Sequence, residues 1–185
     1  MTTGDTVAEA IGIADFKRAM RSLPAQVAII ASRSAGTRIA MTATAVTSLS
    51  AEPPQLLVCI HRMARPAAVI EAAGAFSVNL ASVGQADVAT QCALPGLEPD
   101  ERFERGCWTA SPYLAQPLLE GALVGFECEL VSKTEHGTHF VFVGLIRHVR
   151  FSDGEPLLYH DGSYREIGRR LDWRDHEWDN IGLAF

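Results

Sequence analysis

The sequence predicts a mainly β domain with a few helices, an antiparallel barrel or sandwich that carries its helices at the ends. Three observations predict it. Apolar residues recur at strand spacing in many short runs between residues 27 and 167. Helical signals are confined to three stretches, near residues 13–23, 66–73 and 85–92. Strands and helices do not alternate regularly, which argues against a doubly wound parallel sheet.

The first element is a helix: Ile13, Phe16, Met20 and Leu23 recur at helical spacing, Arg18 and Arg21 lie off that stripe, and Pro24 stops it. Val27-Ala28-Ile29-Ile30-Ala31 then reads as a strand. Gly36 turns the chain into a Thr- and Val-rich run over 39–49, and Pro53-Pro54 breaks that run. Residues 56–60 form a third strand, apolar on both faces. Residues 66–73 read as a short helix with Pro66 in its first turn and Gly74 just past its end. A strand follows at 76–80 and a helical stretch at 85–92. Residues 94–116, broken by Pro95, Gly96, Pro99, Gly106 and Pro112, are mostly loop.

The strongest strand signal comes next. Ala122, Val124, Phe126, Cys128 and Leu130 alternate with Gly125, Glu127 and Glu129, giving one apolar and one partly charged face. His136-Gly137 makes a turn, and residues 138–149 return with apolar residues on both faces, a long hairpin. Short strands are expected around 157–159 and 164–167. After Gly168 the composition shifts to charged and aromatic residues, as in a tail added to a finished domain.

Composition bounds the function. The 185 residues are 48% hydrophobic and 21% charged, enough for one domain with a sizeable core. Net charge is −6, and the positive charge, 14 Arg against 2 Lys, is scattered along the chain. That argues against nucleic acid or an anionic membrane as the main partner and leaves small molecules and proteins. The first residues carry neither a basic nor an apolar leader region, and no apolar run reaches about 18 residues, so a cytoplasmic location is expected. Cys59, Cys92, Cys107 and Cys128 form no CxxC pair and each reads as a small buried hydrophobe.

The common catalytic signatures are missing: no GxGxxG follows the first strand, and there is no GxxxxGK[ST], GxSxG or HExxH. His136 and His139 are spaced HxxH across the expected turn without a third ligand nearby, so no metal is expected. Met41-Thr42-Ala43-Thr44-Ala45-Val46 is either an ordinary strand or a surface whose small side chains, hydroxyls and amides admit a flat ligand. Asn79 on an apolar strand needs a partner, either in the protein or in a ligand. Asp100-Glu101-Arg102-Phe103, Gly137-Thr138-His139 and Gly162-Ser163-Tyr164-Arg165 are ambiguous when taken singly.

Their order is not. The helix at 16–23, Thr42-Ala43-Thr44-Ala45-Val46-Thr47-Ser48, the stretch from Pro53-Pro54 to His61-Arg62, Phe76-Ser77-Val78-Asn79-Leu80, and the three ambiguous segments follow one another as in one family. The chain resembles the short-chain flavin reductases, the reductase components of two-component flavin-dependent monooxygenases, over about residues 14–167. The resemblance implies an antiparallel split β-barrel of the FMN-binding, Greek-key type, with residues 1–13 as an N-terminal extension and 168–185 as a tail. It implies hydride transfer from NADH or NADPH to FMN or FAD, a homodimer, and a partner monooxygenase that receives reduced flavin.

By the same resemblance, Thr42, Ala43, Thr44, Ala45, Val46 and Ser48 line the flavin ring and ribityl chain, with Cys59 behind them. His61, Arg62 and Arg65 lie near the flavin phosphate. Asn79 and Phe103 lie around the pocket, His139 is the catalytic residue beside the nicotinamide, and Tyr164 and Arg165 close the site. The family often has Asn in place of His61 and Ser in place of Arg65. Two other readings stay open: a flavoprotein of the same fold that only binds flavin, and one that keeps its flavin and oxidises a small substrate directly. An interaction domain without any ligand is a third.

Overall fold

The structure is a computed structural model that describes residues 10–168. Most of the expected N-terminal extension, residues 1–9, and the tail beyond Gly168 lie outside that range.

Helix α1 (Ile13–Arg21) leads to a short strand β1 (Ala25–Gln26), followed by β2 (Ala28–Ser34), β3 (Thr37–Ala43), β4 (Val46–Ala51) and β5 (Pro54–His61). Helix α2 (Arg65–Ala73) ends at Gly74, whose φ of 62° supplies the left-handed cap. Strand β6 (Ala75–Leu80) and helix α3 (Ala86–Ala93) precede the long loop, which contains a 3₁₀ turn at Asp100–Phe103 and strand β7 (Trp108–Ala110). Strand β8 (Pro117–Leu119), the 13-residue strands β9 (Val124–His136) and β10 (His139–Phe151), β11 (Leu158–His160) and β12 (Ser163–Arg165) complete the order.

Seven strands form one antiparallel sheet in the order β3-β2-β6-β9-β10-β5-β4. Its two edges, β3 and β4, are consecutive in sequence and separated only by Thr44 and Ala45. A two-residue link is too short to cross an open sheet seven strands wide. The sheet therefore curls back on itself, yet β3 and β4 do not pair. It is an unclosed barrel. A smaller sheet, β1-β11-β12, sits where the chain enters β2.

Strand β2 is buried on both faces, which explains its unbroken apolar run. Ala28 and Ile30 join Val58, Ile60, Phe76 and Phe142 in one core cluster, which the buried face of α2 caps with Ala67 and Ile70. Ile29 and Ala31 join a second cluster with Val88, Ala89 and Leu119, beneath α3. Close packing inside the first cluster requires Gly144: a Cβ there would stand 2.6 Å from Phe76 Cζ and 2.8 Å from Cys128 Cβ.

Two sequence expectations are corrected. The run 39–49 is two strands, not one, because the chain leaves β3 after Ala43 and enters β4 at Val46. Cys107 is exposed rather than a buried hydrophobe. On the partly charged face of β9, Glu127 is fully buried. Its carboxylate accepts hydrogen bonds from the Ser111 hydroxyl and the amides of Tyr113 and Leu114, and so pins the loop that leads into β8.

Candidate functional site

Residues 42–48 run along the opening between the two sheet edges, and three concavities share them. Thr42 lines a cavity of about 540 Å³ together with Met63, Ala64 and Arg65 at the start of α2, the segment 92–97, and Arg102. Thr44 lines a second, of about 280 Å³, with the face of α1 and the β11–β12 turn, Tyr159 to Gly162. Val46 and Ser48 line a third, apolar and about 420 Å³, with Leu56, Leu80, Phe126 and Ile146.

The connection between β3 and β4 is held by its carbonyls. Thr44 O accepts from Val46 N at 3.0 Å, and Ala45 O accepts from Cys59 N at 3.0 Å. The amides of Thr44 and Ala45 have no protein partner among the described residues, and both residues are exposed. Two free donors on a strip without bulky side chains can receive the polar edge of a flat heterocycle. Thr42 is differently engaged: its hydroxyl donates to Ala89 O at 2.5 Å, which fastens β3 to α3.

Strand β5 brings Cys59 beside Ala45 and carries His61 to the rim, where it pairs in register with His139 at the start of β10. Arg62 N donates to Thr138 O at 2.9 Å, and the Arg62 guanidinium is bound to Glu135 at 2.9 Å. Arg62 therefore stitches the end of β5 to the β9–β10 hairpin rather than standing free. Arg65 stands on the first cavity at the N-terminal end of α2, where the helix dipole adds positive potential, and its guanidinium meets the Glu98 carboxylate. Cys59 thus stands beside Ala45 and His61 beside His139 at the hairpin tip, whereas Arg65 shares its cavity with Thr42.

Other expected site residues are placed elsewhere. Asn79 is fully buried: its amide donates to Ile29 O at 3.1 Å and Ser77 Oγ at 3.2 Å, and its Oδ1 accepts from Leu119 N at 2.8 Å. Its polar atoms are occupied within the protein. Phe103 packs edge-on against Trp108 at 4.9 Å under the guanidinium of Arg38. Tyr164 is half-buried against the α3-side cluster and Arg165 is exposed, both on β12 beyond the turn that faces Thr44.

Sequence reasoning missed the far wall of the first cavity. Arg102 donates to Cys92 O at 2.6 Å and Leu94 O at 3.0 Å, folding the loop over Thr42. The two prolines and the glycine over 95–99 were the available signal, and they read simply as loop. Burial pushes the Cys92 thiol in this wall up to about 12, against the opposing effect of Arg102. It is a packing group and not a nucleophile.

Residues 20–168 match a family described as "Flavin reductase like domain". The chain is 36% identical over 154 residues to the 4-hydroxyphenylacetate 3-monooxygenase reductase component of Salmonella typhimurium, spanning 82% of this chain and 90% of that protein. It is 35% identical over 170 residues to the FMN reductase (NADH) RutF of Methylorubrum extorquens, spanning 91% of this chain and 82% of that one. Among solved structures, the Streptomyces globisporus NADH:FAD oxidoreductase SgcE6 in complex with NAD and FAD fragments superposes with a TM-score of 0.80 at 25% identity, over 89% of this chain and 100% of that one.

Proposed function

This chain belongs to the flavin reductase-like family, and on that premise we propose an NAD(P)H:flavin oxidoreductase that moves hydride from a nicotinamide to FMN or FAD and supplies reduced flavin to a partner monooxygenase. One observation carries the assignment of the site: the two unpartnered amides of Thr44 and Ala45 at the opening of the barrel, on a strip of small side chains. Bound flavin would supply the hydride acceptor, so the protein needs neither a nucleophile nor a metal.

The protein's part is binding, orientation and electrostatics. Thr44 and Ala45 donate their amides to the polar edge of the ring, where they lower the cost of the negative charge that arrives with the hydride. Ala43 and Ala45 keep the approach to the ring clear. Arg65 receives the flavin phosphate, for which a guanidinium is well suited by charge and geometry. His139 holds the nicotinamide in position, and Tyr164 and Arg165 close the site.

The catalytic unit is residues 14–167, flanked by the extension 1–13 and the tail 168–185. The protein acts in the cytoplasm as a homodimer. Two features support the dimer: the apolar groove lined by Val46, Leu56 and Phe126, and the exposed Ile13, Phe16 and Met20 of α1 with Leu23 just beyond its end. No helix among the described residues is long and apolar enough to cross a membrane.

The test is nicotinamide oxidation followed at 340 nm with NADH or NADPH, each with riboflavin, FMN or FAD added. The expected result is absorbance loss only when flavin is present. No flavin-dependent loss with either nicotinamide would refute the assignment.

A further inference from the structure

At the cavity that Thr42 shares with α2, the Arg65 guanidinium meets the Glu98 carboxylate, with Nη1 3.4 Å from Oε2. The partners come from separate segments: Arg65 opens α2, whereas Glu98 lies on the loop between α3 and the 3₁₀ turn. That loop is tied down around Glu98. The Glu101 carboxylate accepts from Glu98 N at 2.6 Å, Gln91 Nε2 donates to Glu101 O at 2.8 Å, and Arg102 holds the carbonyls of Cys92 and Leu94. The fold therefore presents the Glu98 carboxylate to Arg65 from a fixed base. The pair itself is open to water, with 63% of the Arg65 side chain and 71% of the Glu98 side chain exposed. An ion pair so exposed contributes little to stability.

We propose that Glu98 is a built-in competitor for the anion that Arg65 receives, and so sets how strongly the protein prefers phosphorylated flavins over riboflavin. The inference rests on the reading above that Arg65 faces the flavin phosphate. A phosphate arriving at Arg65 competes with a carboxylate of like charge for the one guanidinium, and Glu98 gives up its partner. Binding of FMN or FAD is then weaker by the free energy of the displaced pair, whereas riboflavin, without a phosphate, pays nothing. The arrangement suits a protein that must release its flavin, because it shortens the stay of the phosphorylated form and leaves the ring contacts intact.

The experiment is equilibrium binding of riboflavin, FMN and FAD to the wild-type protein and to Glu98→Gln, Arg65→Gln and the double variant, with KM for NADH and NADPH measured alongside. Both side chains are exposed, and an unchanged melting temperature verifies that the variants fold. Glu98→Gln is expected to tighten FMN and FAD by about two- to five-fold, the size of an exposed ion pair, and to leave riboflavin unchanged. The gain should shrink at high salt and vanish when Arg65 is Gln. Equal shifts for all three flavins, or weaker FMN binding by Glu98→Gln, would overturn the proposal. A change in the NADPH-to-NADH ratio with no change in FMN binding would also overturn it, by assigning the pair to the nicotinamide phosphate. A wild-type protein that binds FMN no better than riboflavin, with Arg65→Gln also without effect, would remove the phosphate reading itself and this inference with it.

Discussion

The imidazole of His139 stands edge-on to that of His61, with ring centroids 5.2 Å apart and planes at 84°. The two residues are register partners on β10 and β5. Each ring is held at Nδ1: Met63 N donates to that of His61 at 3.2 Å, and Thr138 Oγ1 lies 2.9 Å from that of His139. The hairpin tip thus presents two oriented rings, each with an Nε2 that has no protein partner among the described residues.

His139→Ala should accordingly raise KM for the nicotinamide by about tenfold, the loss of one positioning hydrogen bond. The flavin dissociation constant should change much less, because the amides of Thr44 and Ala45 are untouched. Steady-state kinetics with flavin titrations separates the two. A collapse of flavin affinity with an unchanged nicotinamide KM would reverse the assignment.

Glu127 is a fully buried carboxylate. Glu127→Gln keeps the shape but places an NH₂ group among donors from Ser111, Tyr113 and Leu114. The expected loss is about 2–4 kcal/mol of unfolding free energy, measured by urea denaturation. A variant within about 0.5 kcal/mol of wild type would show that the loop at 111–116 does not depend on this anchor.

Gly144→Ala should destabilise by about 1–3 kcal/mol through overpacking, because Cys128 on the adjacent strand β9 and Phe76 on β6 must both shift. Thermal melts of the purified variant test this, and an unchanged midpoint would contradict the packing described here.

Burial pushes the thiols of both Cys92 and Cys128 up to about 12; Glu127 adds to the effect at Cys128, whereas Arg102 opposes it at Cys92. In the unfolded chain a thiol ionises near about 8.5. Between those values the unfolded chain gives up protons that the native state retains. The thiols' contribution to stability is therefore fully present below about pH 8.5 and declines as pH rises toward 12. At pH 9, iodoacetamide labelling read by mass spectrometry should find Cys107, which is exposed, modified first. FMN should slow the labelling of half-buried Cys59, and Cys92 and Cys128 should stay unmodified. Rapid modification of Cys128 in the folded protein would contradict its burial.

Much of the fold was legible because local rules and tertiary packing agree. The stripe of α1, proline and glycine at the two ends of α2, and His136-Gly137 at the hairpin tip each state their structure locally. The break at Thr44 and Ala45 was not legible, since nothing in a Thr- and Ala-rich run marks where a strand changes edges. The burial of Glu127 was not legible for a physical reason: alternation reports which side chains share a face, but not whether another segment covers that face. For the site, Thr42, Ala45, Arg65 and His139 were named from the sequence, whereas Glu98 was not. Its partner is 33 residues away, and only the folding of the 92–102 loop brings the two together.

The short passage through Thr44 and Ala45 also fixes a mechanical tolerance. From Ala43 to Val46 the chain takes three steps, so the strand ends on either side can never stand more than about 11 Å apart. That tether acts as a clasp on the girth of the barrel: the slot cannot gape at this end, and the bend of the link separates the two strands where they meet. A ring wedged there would meet a gap whose width is set by covalent geometry rather than by side-chain packing. Cutting the chain at this point, with the natural termini joined elsewhere, would release the clasp and leave every ladder hydrogen bond in place. Such a permuted chain should keep its fold and lose its grip on flavin.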